Sequence, residues 1–156
     1  MSDSLAEQVN ALFSDYGWLL DTAHYDAWLE LFVEDAFYQI MPRENLEAGL
    51  AASLIYCRGK DMLRDRVTSL VEVNKYNIHG TRHILGRSRL GMPAAELIPV
   101  ATPFAVYQTD QEGVSQLFAV GAYDSQLIRQ AGALRLASQI VQLDTFSVPT
   151  LLSDPL

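Results

Sequence analysis

After Thr81 the chain reads as long strands. Four stretches, roughly 81–90, 97–109, 114–128 and 134–146, follow one another almost without interruption. The turn signals "TDQEG" (109–113) and "RQAG" (129–132) separate the last three, which predicts antiparallel hairpins. Everything before Thr81 is mostly helical in pattern. Helices first and a long meander afterwards is an α+β plan, a curved antiparallel sheet with about three helices packed on its concave face.

The first helix is expected to start at Ser4. Ser4 and Glu7 make an S-x-x-E capping box, in which each side chain satisfies the other's free backbone N–H. Leu5, Val9, Leu12, Phe13, Tyr16 and Leu20 then share one face. Trp18 falls opposite, with Glu7, Ala11 and Ser14. Either Gly17 distorts the helix and turns Trp18 inward, or Trp18 marks a second contact surface, since tryptophan is enriched in interface cores. "HYDAWLELFVED" (24–35) reads as a second short helix, "AFYQIMP" (36–42) as a strand ended by Pro42, and "SLIYC" (53–57) as a short strand. A third helix covers 61–73, with Leu63, Val67, Leu70 and Val71 on its apolar face.

The 156 residues suggest one domain spanning 1–156. An apolar content of 49% against 19% charged residues leans toward an oligomer or complex, because surplus apolar surface needs a cover. A formal net charge of −8 makes nucleic acid and anionic membrane surfaces poor partners. The first twenty residues lack the basic and apolar regions of a signal peptide, and no apolar run is long enough to span a membrane. Cys57 is the only cysteine, so an internal disulfide is impossible, which suits a reducing cytoplasm.

Few constellations carry chemistry. His79 and His83 have the i, i+4 spacing of a helical zinc site, but the intervening "GTR" holds no glutamate. In an extended segment four residues span about 13 Å, too far for one ion. A Rieske cluster needs two cysteines and two histidines, which one cysteine cannot supply. No G-x-G-x-x-G, P-loop or G-x-S-x-G occurs. Acid–base work is harder to dismiss. His83 with Asp21, Asp35, Tyr16 or Tyr38 could line a pocket in a cone-shaped sheet and move a proton. The plainer reading makes His83 a hydrogen-bonded structural residue and Asp35 a helix terminator.

The positive charge is unevenly placed. "KDMLRDRVTSL" (60–70) alternates in sign, and Asp61 is a candidate cap for its helix. Arg66 lies about 60° from the apolar stripe on a helical wheel, so half-burial beside a carboxylate is expected of it. In "TRHILGRSRL" (81–90), Arg82, Arg87 and Arg89 alternate with Ile84, Leu85 and Leu90. These arginines are expected to pair internally or to bind neighbouring subunits, where arginine is enriched.

Taken in order, "YDAWLELFVEDAFYQIMPREN", "KDMLRDRVTSL" and "TRHILGRSRL" resemble the small (beta) subunit of Rieske non-haem iron ring-hydroxylating oxygenases. The resemblance covers roughly residues 8–147. Its most specific points are Asp65–Arg66 on a helix and Arg82–His83 opening a strand. The stretches "EAGLAASLIY" and "ATPFAVY" and the closing "DPL" look most like the branch acting on terephthalate, salicylate and anthranilate. The chain departs from the naphthalene and biphenyl branch in its shorter tail and in lacking a proline-rich approach to "TRH".

The resemblance implies an NTF2-like (SnoaL-like) cone, with a strongly curved, antiparallel-rich mixed sheet. It implies three large and three small subunits, the large one holding the Rieske [2Fe–2S] cluster and the mononuclear iron. No catalytic, cofactor-binding or metal-binding residue is then expected here. Trp18, Asp65, Arg66, Arg82, His83, Arg87 and Arg89 become candidates for subunit contacts or internal ion pairs. The competing readings are a free-standing NTF2-like dehydratase or isomerase using His83 with Asp35, and a ligand-binding or scaffolding module of the same fold.

Overall fold

The computed structural model describes residues 3–49, 53–75, 78–144 and 155–156. Helix α1 (Leu5–Asp21) starts at the expected capping box: Ser4 Oγ accepts the Glu7 N–H at 3.2 Å, and Glu7 Oε2 accepts the Ser4 N–H at 2.7 Å. Val9, Leu12, Phe13, Tyr16 and Leu20 are buried on its inner face. The helix is continuous through Gly17, and Trp18 is 62% exposed, so the inward rotation considered for Trp18 does not occur.

Helix α2 (Tyr25–Leu29) is far shorter than the helix expected over 24–35. Its continuation is taken up by strand β1 (Phe32–Pro42). Leu31 O accepts the Leu136 N–H at 2.7 Å, and Phe32 pairs with Leu136 across the ladder, so sheet pairing overrides the helical spacing of the apolar residues. A short helix α3 (Arg43–Glu47), not anticipated, follows Pro42. Strand β2 (Ile55–Arg58) and helix α4 (Lys60–Asn74) come next. Gly59, at φ 94, caps α4 without a side chain, and Asp61 instead pairs with Arg64 at 2.8 Å.

Strands β3 (Gly80–Leu85) and β4 (Arg89–Leu90) replace the single strand expected over 81–90. The break falls at Gly86, where a Cβ would lie 2.5 Å from Pro103 Cγ, too close for any other residue. Strands β5 (Ile98–Thr109), β6 (Ser115–Gln130) and β7 (Ala133–Leu143) form the expected meander. Both hairpin turns act through local chemistry. Asp110 Oδ1 accepts the N–H groups of Glu112 and Val114, and Ala131–Gly132 bridges β6 and β7 with both residues at positive φ.

The sheet order is β2-β1-β7-β6-β5-β3, with β4 on β5. β1 runs parallel to β7 and the other pairings are antiparallel. Inward residues of β5, β6 and β7, such as Phe104, Tyr123, Leu127 and Val141, meet α1 in one apolar cluster. Gly121 permits the close β6–β7 approach, since a Cβ there would sit 1.9 Å from Gln142 O.

Candidate functional site

Polar side chains gather at the centre of the cone and at the seam between α1 and β3. The centre is aromatic. Tyr16, Trp28, Phe32, Tyr38 and Tyr123 stack edge to face or tilted, with ring centroids between 4.9 and 6.5 Å apart for the contacting pairs. Leu156 is seated among them, fully buried. Its backbone oxygen accepts hydrogen bonds from the Tyr16 hydroxyl at 2.6 Å and the Tyr38 hydroxyl at 2.7 Å, and its N–H donates to Tyr38 Oη at 3.0 Å. Burial pushes the phenols of Tyr16, Tyr38 and Tyr123 well above the ordinary tyrosine range. None is poised to exchange a proton near neutral pH.

At the seam, His83 on β3 meets Asp21, the last residue of α1. Asp21 Oδ1 lies 2.6 Å from His83 Nδ1, and Oδ2 accepts the His83 backbone N–H at 2.9 Å. Both side chains are almost fully buried, at 1% and 3% exposure. Among the described residues His83 Nε2 has no partner. Gly17 makes the meeting possible, because a Cβ on it would already lie 3.2 Å from His83 Cβ. The acid beside His83 is thus Asp21 and not Asp35, which is exposed on β1. A carboxylate in the last turn of a helix opposes the helix dipole, and the contact with His83 offsets that cost for Asp21.

The remaining sites expected from the sequence are scattered. Arg82 projects outward, its guanidinium carbon 5.8 Å from the Trp18 ring centroid and its Nη1 4.0 Å from Asp21 Oδ2. Arg87 and Arg89 are exposed. Asp65 and Arg66 on α4 are exposed too, so the half-burial expected for Arg66 is not found: its long side chain carries the cation off the stripe into water. The cation still acts at a distance. Burial raises the Cys57 thiol pKa, and Arg66 partly offsets that rise.

The cation that is buried is Lys60, reached by Glu30 at 3.6 Å and Glu34 at 3.7 Å. Nothing in the sequence distinguished it from its neighbours. Among the described residues no three His, Cys, Asp or Glu side chains converge on a point that could hold a metal ion, and no helix is long and apolar enough to cross a membrane.

Comparison with known proteins places this geometry. The family described as ring hydroxylating beta subunit matches residues 17–150. The chain is 34% identical over 137 residues to the anthranilate 1,2-dioxygenase small subunit of Burkholderia cepacia, spanning 88% of this chain and 85% of that one. It is 32% identical over 149 residues to subunit beta 2 of the terminal oxygenase component of terephthalate 1,2-dioxygenase from a Comamonas species, spanning 96% and 97%. Among solved structures, the beta subunit assigned to an aromatic-ring-hydroxylating dioxygenase of Novosphingobium aromaticivorans superposes with a TM-score of 0.87 at 32% identity, covering 97% of this chain and 96% of that one. The NTF2-like cone expected from the sequence is the fold observed.

Proposed function

The chain belongs to the ring hydroxylating beta subunit family, and from that premise we propose that it is the small subunit of a Rieske-type aromatic-ring oxygenase, with assembly as its task and no catalytic residue of its own. On this reading three such chains join three large subunits in an α3β3 complex, touching the large subunits and one another. The large subunit carries the Rieske [2Fe–2S] cluster and the mononuclear iron, and the complex hydroxylates an aromatic carboxylate with O2. Relatives named for anthranilate and terephthalate support that substrate class, with salicylate in the same group.

The observation that carries the assembly role is Leu156. Where an NTF2-like enzyme would need room for a substrate, this cone holds a leucine whose backbone oxygen already takes the hydrogen bonds of Tyr16 and Tyr38. The donor set agrees: with Cys57 as the single cysteine, the chain does not fit a Rieske cluster. A location in the cytoplasm suits that lone reduced thiol.

A second reading, a free-standing acid–base enzyme, is favoured by one observation, the Asp21–His83 pair with its unpartnered Nε2. Its acid is Asp21, and its weakness is that the histidine side chain is 1% exposed.

Co-expression with the large subunit of the same oxygenase tests the proposal, read by size-exclusion chromatography with light scattering and by the absorbance spectrum. A brown complex of six chains, with the lone chain colourless, is the expected result. A chain that ignores the large subunit, or that turns over a substrate alone and loses this activity in His83→Ala, would defeat it.

A further inference from the structure

The assembly reading leaves open which face meets the large subunit, and the seam between α1 and β3 supplies an answer. Among the described residues β3 ends the sheet, and α1 and this strand border an open groove of about 400 Å³. Trp18 stands on the α1 side, 62% exposed, the kind of residue a folded chain rarely leaves in water. Arg82 lies over the indole and is held there by the ring and by Asp21. Arg87 lines the groove beside Ser88, whose N–H donates to Asn10 Oδ1 on α1 at 3.0 Å.

The charges do not cancel. Asp21 is the acid among the lining residues; its buried carboxylate is bonded to the ring and backbone of His83 and reaches Arg82 only at 4.0 Å, and the lining holds no second acid for Arg87. A chain with a formal net charge of −8 thus presents here two exposed guanidinium groups beside an exposed indole. Guanidinium groups match carboxylates fork to fork, and tryptophan and arginine, with tyrosine, are enriched among the residues that dominate binding at protein interfaces. The groove is open rather than enclosed, so a small ligand would keep much of its surface wet; a partner's side chains would not.

We propose that this groove docks an acidic segment of the large oxygenase subunit, one aspartate or glutamate engaging Arg82 and a second engaging Arg87 while an apolar neighbour covers Trp18. The proposal rests on the small-subunit reading above. His83 and Asp21 act as positioning residues, fixing β3 against α1 so that Arg82 meets Trp18.

The test is the affinity of the purified chain for its large subunit, by calorimetry at low and high salt, for wild type, Trp18→Ala, Arg82→Glu and Arg87→Glu. Trp18→Ala and each charge reversal should weaken binding at least about tenfold, with the salt dependence flattened in the reversals. Arg87→Glu, which touches no described ion pair, should melt at the wild-type temperature, separating docking from folding. If the wild type binds and all three variants bind equally well, the groove is overturned while the small-subunit reading survives. If the wild type does not bind, both fall. Saturable quenching of the exposed Trp18 by benzoate alone would mark a small-anion site instead. Self-association of the lone chain, lost in the variants, would make a second copy the occupant. Either result overturns the proposal.

Discussion

The hydroxyl of Tyr38 donates to the backbone oxygen of Leu156 at 2.7 Å and accepts the Leu156 N–H at 3.0 Å. One phenol thus satisfies both backbone groups of a residue that is completely buried. Tyr38→Phe keeps the ring and its stacking but leaves that N–H without its acceptor, while the backbone oxygen retains Tyr16. The expected cost is about 1–3 kcal/mol, because an unmet buried polar group loses its desolvation energy outright. Urea unfolding of the two proteins measures it, and equal midpoints would mean that Leu156 is not held as described.

Tyr16, Tyr38 and Tyr123 are buried, and burial raises all three phenols. The unfolded chain therefore ionises these groups first, from about pH 10, while the folded chain keeps them neutral. Stability is whole below that pH and falls as the pH rises toward the folded values. Tyr123 Oη has no hydrogen-bond partner among the described residues, so Tyr123→Phe should be neutral or stabilising at pH 7 and should flatten the alkaline loss. Denaturant midpoints across the alkaline range check both statements, and an unchanged slope in the variant would contradict the second.

Asp21 and His83 tie the end of α1 to the edge strand through one side-chain and one backbone contact. His83→Ala leaves a buried carboxylate with only its backbone donor and Arg82 at 4.0 Å, and the expected loss is about 3–5 kcal/mol. Asp21→Asn with His83→Ala should cost less than the sum of the single changes, since the stranded charge is gone. Additive losses in chemical denaturation would show that the two residues do not act as a pair.

The sequence conveyed α1 almost to the residue, because a capping box and a clean apolar face are local signals. The meander from Ile98 onward was equally legible in its turns. Where the structure departs from the local pattern, the deciding contact is distant in sequence. Phe32 has helical spacing with Tyr25, Trp28 and Leu29, yet Leu136, on the far side of the chain, recruits it into the sheet. Asp35 and Asp21 are both acids near helix ends, and only the folded chain reveals which one His83 meets. Arg66 sat close enough to an apolar stripe to suggest burial, but an arginine's length lets the head group leave. Leu156 carries no local mark at all, since its partners lie on α1 and β1.

Ala131 occupies the left-handed region at φ 51 in the β6–β7 turn, beside Gly132 at φ 80. A two-residue turn with both residues at positive φ favours Asn-Gly, and an alanine there carries roughly 1 kcal/mol of steric cost. Ala131→Asn should stabilise the chain by about 0.5–1 kcal/mol without touching the core. Thermal melts would register this as a rise of a few degrees, and a fall would mean that the turn has another constraint.

Gly17 tests how closely α1 must approach β3. In the middle of a helix, replacing glycine with alanine is ordinarily worth about 1 kcal/mol of added stability. Here the new Cβ would lie 3.2 Å from His83 Cβ and 3.3 Å from Leu85 Cδ1. The leucine methyl can rotate away. The histidine Cβ cannot, because Asp21 pins both the ring and the backbone N–H of His83. Crowding should therefore outweigh propensity, and Gly17→Ala should destabilise the chain by about 1 kcal/mol. Combined with His83→Ala, which removes the pin, the alanine should recover part of its helical advantage. If Gly17→Ala alone proves stabilising, the seam is looser than the Asp21–His83 contact implies, and Arg82 is free to leave Trp18.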